Sequence, residues 1–221
     1  HFVNAKSFDR VRLPVTDGFL QTTMGQFESL FPDAENNLQL FLKVNRELRT
    51  QNRTTLQEIG AQTSSSPLWE GSFLRQPGAA RRASFGTTRQ YVYNQETVDT
   101  QTHLGIDLAS VAQARVPAAN DGQVVYADWL GIYGQVVIVD HGLGLQTLYA
   151  HLSHIGVSQG DAVQKGEVIG RTGATGLAGG DHLHFGVIIS GIPVNPVEWW
   201  DRSWIENNIE DKLALGKKED T

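Results

Sequence analysis

The stretch DHLHFGV at 181 to 187 leaves this chain few ways to fold. His182 and His184 alternate there with Leu183 and Phe185, and a β-strand turns that alternation into two imidazoles on one side and apolar residues in a core on the other. A second string, HLGID at 103 to 107, sets His103 and Asp107 four apart. That spacing returns to one face of an extended strand and, roughly, to one face of a helix; Gly105 favours the strand. Two histidines and a carboxylate offered from two strands are the donor set of a catalytic zinc ion, with three protein ligands and a fourth corner left to water.

The surrounding sequence supports strands. Gln123 to Ala127, Gln135 to Asp140 and Gln146 to His151 are rich in β-branched and aromatic residues, separated by glycine-containing turns. Short runs at such intervals predict an antiparallel sheet, sandwich or barrel. Tyr91 to Val98 reads as a hairpin turning at Asn94 and Gln95, and VPAANDGQVVYA (116 to 127) is weakly echoed by VSQGDAVQKGEVIG (157 to 170).

The first sixty residues follow a different period. Phe8 to Leu13 predicts a short strand with Arg10 and Arg12 facing water. Thr16, Asp17 and Gly18 then predict a helix cap. Leu20, Met24, Phe27 and Phe31 recur at helical spacing up to Pro32, a stripe best read as packing surface. Asp33 is the expected cap of a second helix carrying Leu38, Phe41, Leu42 and Leu48, with Thr55 to Ile59 as its extension. QTSSSP at 62 to 67 has linker composition. The expected organisation is a small helical N-terminal region (1–61), a linker (62–67), a mainly β domain (68–203) and a C-terminal helix or tail (204–221).

Composition excludes several classes. With 221 residues, 40% of them hydrophobic, the chain can bury a sizeable core. Its formal net charge of −6 argues against nucleic acid, which needs a basic face. The absence of cysteine removes disulfides, thiolate metal sites and a cysteine nucleophile. No run of ~18 apolar residues points to stable membrane insertion. Beginning at His1 instead of Met, the chain reads as a mature form or an expressed piece of one, from which any export signal or anchor would have been removed.

A lone strand histidine is usually a hydrogen-bonded structural or surface residue, and HxH alone is a weak signal. Two further features raise it. His151 lies in LYAHLS at the end of an apolar run, and the glycine-rich GRTGATGLAGG leads into His182. His141 and His154 lack a partner motif and read as structural or surface residues.

In chain order, ASFG (83 to 86), HLGIDLAS (103 to 110), VPAANDGQVVYA, GQVVIVDHGLGLQTLYAHLS (134 to 153), VQKGEVIGRTGATGLAGGDHLHFGV (163 to 187) and VNPVEWW (194 to 200) resemble the lysostaphin-type, LytM-like zinc metallopeptidases that cut peptidoglycan. The resemblance covers about residues 67 to 200. It implies a lysostaphin-like fold of the duplicated-hybrid-motif type, one zinc ion held by His103, Asp107 and His184, and His151 and His182 as the catalytic histidines beside it. A zinc ion acidifies its bound water to a pKa of about 7 and polarises a carbonyl, while neighbouring imidazoles move protons. No HExxH helix is present, which excludes that zinc-protease plan.

The implied substrate is a peptide cross-link or stem peptide of the bacterial cell wall, and the implied location the periplasm or cell envelope. Tyr91, Tyr93, Trp129 and Tyr133 are candidate substrate-binding aromatics. Members of the family that have lost the histidines act as regulators of other wall hydrolases. All five positions are filled here, so activity is the expectation and a catalytically silent regulator the alternative. A lipoyl-type carrier is disfavoured because Lys165 does not occupy an exposed hairpin tip in the required motif. Residues 1–61 are a candidate for a segment lying over the zinc groove and holding the enzyme latent.

Overall fold

The computed structural model describes residues 7–213. It begins with strand β1 (Arg10–Pro14), followed by helix α1 (Asp17–Thr23). Thr16 caps α1 as the sequence predicts, its hydroxyl accepting from Phe19 N at 3.1 Å. After two 3-10 turns comes α2 (Asn37–Lys43), which passes through one π turn (Val44–Leu48) into α3 (Arg49–Gly60). The cap of α2 is Asn36, which accepts from Gln39 N at 2.9 Å, and not Asp33. Asp33 instead pairs with Lys43. Leu40, Phe41, Val44, Leu48, Leu56 and Ile59 supply the buried side of this helical run.

Strand β2 (Ala80–Ala83) precedes a hairpin of β3 (Thr88–Tyr93) and β4 (Glu96–Thr102). The hairpin turns on Asn94 and Gln95, both in the left-handed region with φ of 47° and 71°, as a tight two-residue turn that matches strand twist requires. β1 pairs in parallel with β3. There follow β5 (Ile106–Ala109), β6 (Arg115–Pro117), β7 (Gly122–Trp129), β8 (Gln135–Gly142), β9 (Leu145–Leu152), β10 (His154–Ile155), β11 (Ala162–Val163) and β12 (Val168–Arg171). The described chain continues with β13 (Leu183–Ile189), β14 (Ile192–Val194), α4 (Pro196–Trp199), α5 (Arg202–Ile205) and a π turn (Glu206–Glu210). The main sheet is antiparallel, in the order β11-β7-β8-β9-β13-β5-β2, and a small sheet runs β10-β12-β6.

Both faces of the main sheet are covered, and the alternation of β8 shows how. Val136 and Ile138 join the core built with the N-terminal helices, whereas Val137 and Val139 join the core on the opposite face with Tyr149, Phe185 and Trp199. Residues two apart share a side, so a strand that is apolar at every position must be sandwiched. Residues 62–67 are tied to this sheet: Thr63 Oγ1 donates to Asp140 Oδ1 at 2.8 Å and Ser64 N to Asp140 Oδ2 at 2.9 Å. At the far end of α3, a Cβ on Gly60 would lie 2.4 Å from Gly191 N, so only glycine lets the helix approach the β13–β14 turn this closely.

Candidate active site

β5 and β13 run antiparallel with Asp107 directly opposite His184. Asp107 and His184 therefore point to the same side at one level of the sheet. His103 sits just before β5, its backbone N bonded to Thr87 O at 2.9 Å. Its ring Nδ1 lies 2.9 Å from Ser84 O. A carbonyl can only accept, so Nδ1 carries the proton and Nε2 presents a lone pair. That Nε2 lies 2.9 Å from Asp107 Oδ1 and 3.0 Å from His184 Nδ1, and the latter two atoms are 2.9 Å apart.

Three acceptors thus converge on one point. An ion with tetrahedral bonds of ~2.0–2.1 Å holds its ligand atoms roughly 3.3 Å apart, so small outward movements would seat a divalent cation, and two neutral nitrogens with one carboxylate suit zinc. Gly105 makes the approach possible: a Cβ there would lie 2.5 Å from His184 Nε2 and 2.7 Å from Phe185 O. Arg89 of β3 donates to the other carboxylate oxygen, Asp107 Oδ2, and so leaves Oδ1 to face the imidazoles. Burial lowers His184 to about 4, so its ring stays neutral and able to donate a lone pair.

His151 and His182 stand beside this triangle with ring centroids 4.9 Å apart. Each has its Nδ1 2.8 Å from a backbone carbonyl, Thr175 O for His151 and Gly180 O for His182. The same reasoning leaves both Nε2 atoms free for chemistry, and that of His182 lies 3.6 Å from Asp107 Oδ1. Burial holds His151 well below the usual histidine range. Burial also pulls His182 down, yet the Asp107 carboxylate close to its ring prevails and its pKa is raised. His151 has a φ of 62°, a left-handed conformation costing on the order of 1–3 kcal/mol for a residue with a Cβ and concentrated at functional sites.

A cavity of about 500 Å³ opens beside Asp107, His151 and His182, and Tyr91 forms part of its wall. A second, of about 40 Å³, lies between the triangle and Arg49, Arg53 and Tyr133. Tyr91 packs edge-on against Phe41 with centroids 5.4 Å apart, and Tyr133 lies 5.7 Å from the His184 ring. Tyr93 and Trp129 line neither cavity. Tyr93 sits at the turn end of β3, where its hydroxyl donates to Asp17 Oδ1 at 3.0 Å, and Trp129 is half-exposed at the last position of β7. The remaining buried histidine, His141, bonds Asp121 O through Nδ1 and Thr147 Oγ1 through Nε2, each at 2.7 Å. Arg89 escaped the sequence reading because it lies in a polar strand with no motif; its one signal is its place between the FG string and His103.

Known proteins share this region. The sequence profile described as peptidase family M23 matches residues 101–196. A DD-carboxypeptidase/endopeptidase, Mpg, of Neisseria meningitidis serogroup B is 46% identical over 95 residues, 43% of this chain and 22% of that protein. The murein hydrolase activator EnvC of Escherichia coli is 34% identical over 128 residues, 57% of this chain and 30% of that protein. The matched part of the chain thus spans less than a third of either relative's length. Among solved structures, a crystal structure described as a putative peptidase M23 from Pseudomonas aeruginosa superimposes with a TM-score of 0.54 at 27% identity, covering 70% of this chain and 59% of the other. The mostly antiparallel β architecture and these likenesses agree, and residues 101–196 of this chain match peptidase family M23.

Proposed function

We propose that the chain is a zinc-dependent endopeptidase that hydrolyses peptide cross-links or stem peptides of bacterial peptidoglycan, acting in the periplasm or cell envelope where that substrate lies. His103, Asp107 and His184 hold the ion, and His151 and His182 act beside it. The observation that carries this reading is the convergence of His103 Nε2, Asp107 Oδ1 and His184 Nδ1, within 4.8 Å of one another, next to two imidazoles whose tautomers are fixed by backbone carbonyls. A zinc ion, when bound, supplies an acidified water and a polarised carbonyl. The residues do the rest: a free Nε2 accepts the proton of the attacking water, and an imidazolium gives one to the departing amine or hydrogen-bonds the developing oxyanion.

Likeness to a murein hydrolase activator favours a second reading, a silent regulator of other wall hydrolases. One experiment separates the two: measure zinc stoichiometry, then incubate the protein with purified sacculi and identify released muropeptides by mass. One bound zinc and peptide products, lost in His184→Ala and after chelation, are expected. A metal-free protein that releases nothing alone but accelerates a separate wall hydrolase is the outcome that replaces the enzyme with the regulator.

A further inference from the structure

Most arginines in this chain satisfy their guanidinium groups internally, as Arg46 does with Val98 O, Arg75 with Ala79 O and Arg202 with Glu206. Arg81 and Arg82 do not. Among the described residues neither has a hydrogen-bond or ion-pair partner, yet both line the cavity beside Asp107, His151 and His182. They lie on β2, the last strand in the order of the main sheet. Ala83 of that strand pairs with Asp107, so the two arginines stand one and two residues along from the level of the metal centre. At ~3.3 Å per residue, that offset matches one or two residues of an extended peptide.

The opposite wall has another character: Val11, Leu13, Val15 and Phe19 of the N-terminal segment face the same space. The acids lining it are Asp107, engaged by Arg89, and Asp9. Two unpaired guanidiniums at the mouth of a partly apolar groove, in a chain of net charge −6, constitute local charge of the sign opposite to the whole. Guanidinium matches carboxylate in shape as well as charge.

We infer that this groove selects peptides bearing a free carboxylate one or two residues from the bond to be cut, gripped by Arg81 and Arg82. The inference rests on the peptidase reading above and narrows its substrate. A bridge made only of glycine offers these arginines no carboxylate and the apolar wall no side chain. Both arginines precede the segment matched by the family profile, residues 101–196.

The test uses the full zinc-loaded chain and two cross-linked muropeptide dimers that differ only in whether the carboxyl groups beside the cross-link are free or amidated. The free form is expected to be cleaved with a kcat/KM about 10- to 100-fold higher, as a charged hydrogen bond warrants, with the difference residing mainly in KM. Arg81→Gln/Arg82→Gln should erase that preference by bringing the two dimers to equal kcat/KM, and the corresponding double Lys variant should restore part of it. A His182→Ala chain with zinc, titrated with both dimers by calorimetry, reads the same preference without turnover. Equal rates or affinities for the two dimers, or a preference that survives the double Gln variant, overturn the inference while the peptidase reading stands. Failure of the unaltered chain to cleave either dimer counts against the peptidase reading, and the calorimetric comparison then decides the carboxylate preference alone.

Discussion

Arg89, on a hairpin before the matched family segment, holds Asp107 Oδ2 at 2.5 Å while Asp107 Oδ1 faces His103 and His184. The guanidinium therefore divides the carboxylate's labour, binding one oxygen so that the other is presented singly to a cation. Without it, Oδ2 would be left buried with no strong donor, and the carboxylate would be free to rotate. Arg89→Ala should weaken zinc binding by roughly 10- to 100-fold, the usual effect of removing an outer partner of a metal ligand, and Arg89→Lys should recover part of the loss. Competition against a chelator of known affinity checks this; unchanged affinity in the Ala variant would show that packing alone orients Asp107.

Gly105→Ala should break the centre without touching a ligand. Its Cβ would lie 2.5 Å from His184 Nε2, and overpacking of this kind costs roughly 1–3 kcal/mol. Zinc stoichiometry should fall together with melting temperature. Gly179→Ala, whose added Cβ meets nothing within 4 Å, is the control and should change neither.

The converging donors were legible because their patterns are local: HLGID and HLH each hold them within five residues, although His103 lies just before β5 and His182 just before β13 and not on the strands expected. The hairpin at Asn94 and Gln95 and the cap at Thr16 were legible for the same reason, each being decided within four residues. What could not be read depends on distant partners. The parallel pairing of β1 with β3 joins Arg10 to Thr88, and no local pattern encodes it. Asp33 has the chemistry of a cap but was taken by Lys43, leaving Asn36 to start the helix. Tyr91 and Tyr93 are equivalent by alternation; only the packing of Phe41 and the position of Asp17 separate them. Arg81 and Arg82 carry meaning only once β2 is known to lie beside Asp107.

His141 should make the fold acid-sensitive. Burial lowers its pKa from 6.5 to about 4, so between those values the unfolded chain binds a proton that the folded chain refuses. The contribution to stability is complete above pH 6.5 and is lost as pH falls to about 4, by up to about 3 kcal/mol. Urea melts of the chelated protein across that range should show a positive slope of stability with pH. His141→Gln should make that slope shallower by its own share, with the buried His151 and His184 still contributing, although the variant is less stable at neutral pH through its altered bonds to Asp121 and Thr147. Parallel slopes in the two proteins would assign the acid sensitivity to other groups.

The helical N-terminal segment is expected to be structural before it is regulatory. Phe27, Phe41, Val44 and Leu56 share one core with Ile132, Val136, Ile138 and Leu148 of the β region, and Asn52 Oδ1 accepts from Ile132 N at 2.9 Å inside that contact. The same segment walls the groove with Val11, Leu13 and Phe19 yet leaves a cavity of about 500 Å³ beside Asp107, His151 and His182. Removing residues 1–61 should therefore expose one face of the main sheet, and exposed apolar sheet surface drives association. The truncated chain should aggregate or melt earlier, and Asn52→Ala in the full chain should cost roughly 1–3 kcal/mol by orphaning the buried Ile132 amide. Chromatography and thermal melts check both. A truncated chain that stays monomeric, melts unchanged and hydrolyses sacculi faster would establish instead that the segment restrains the enzyme.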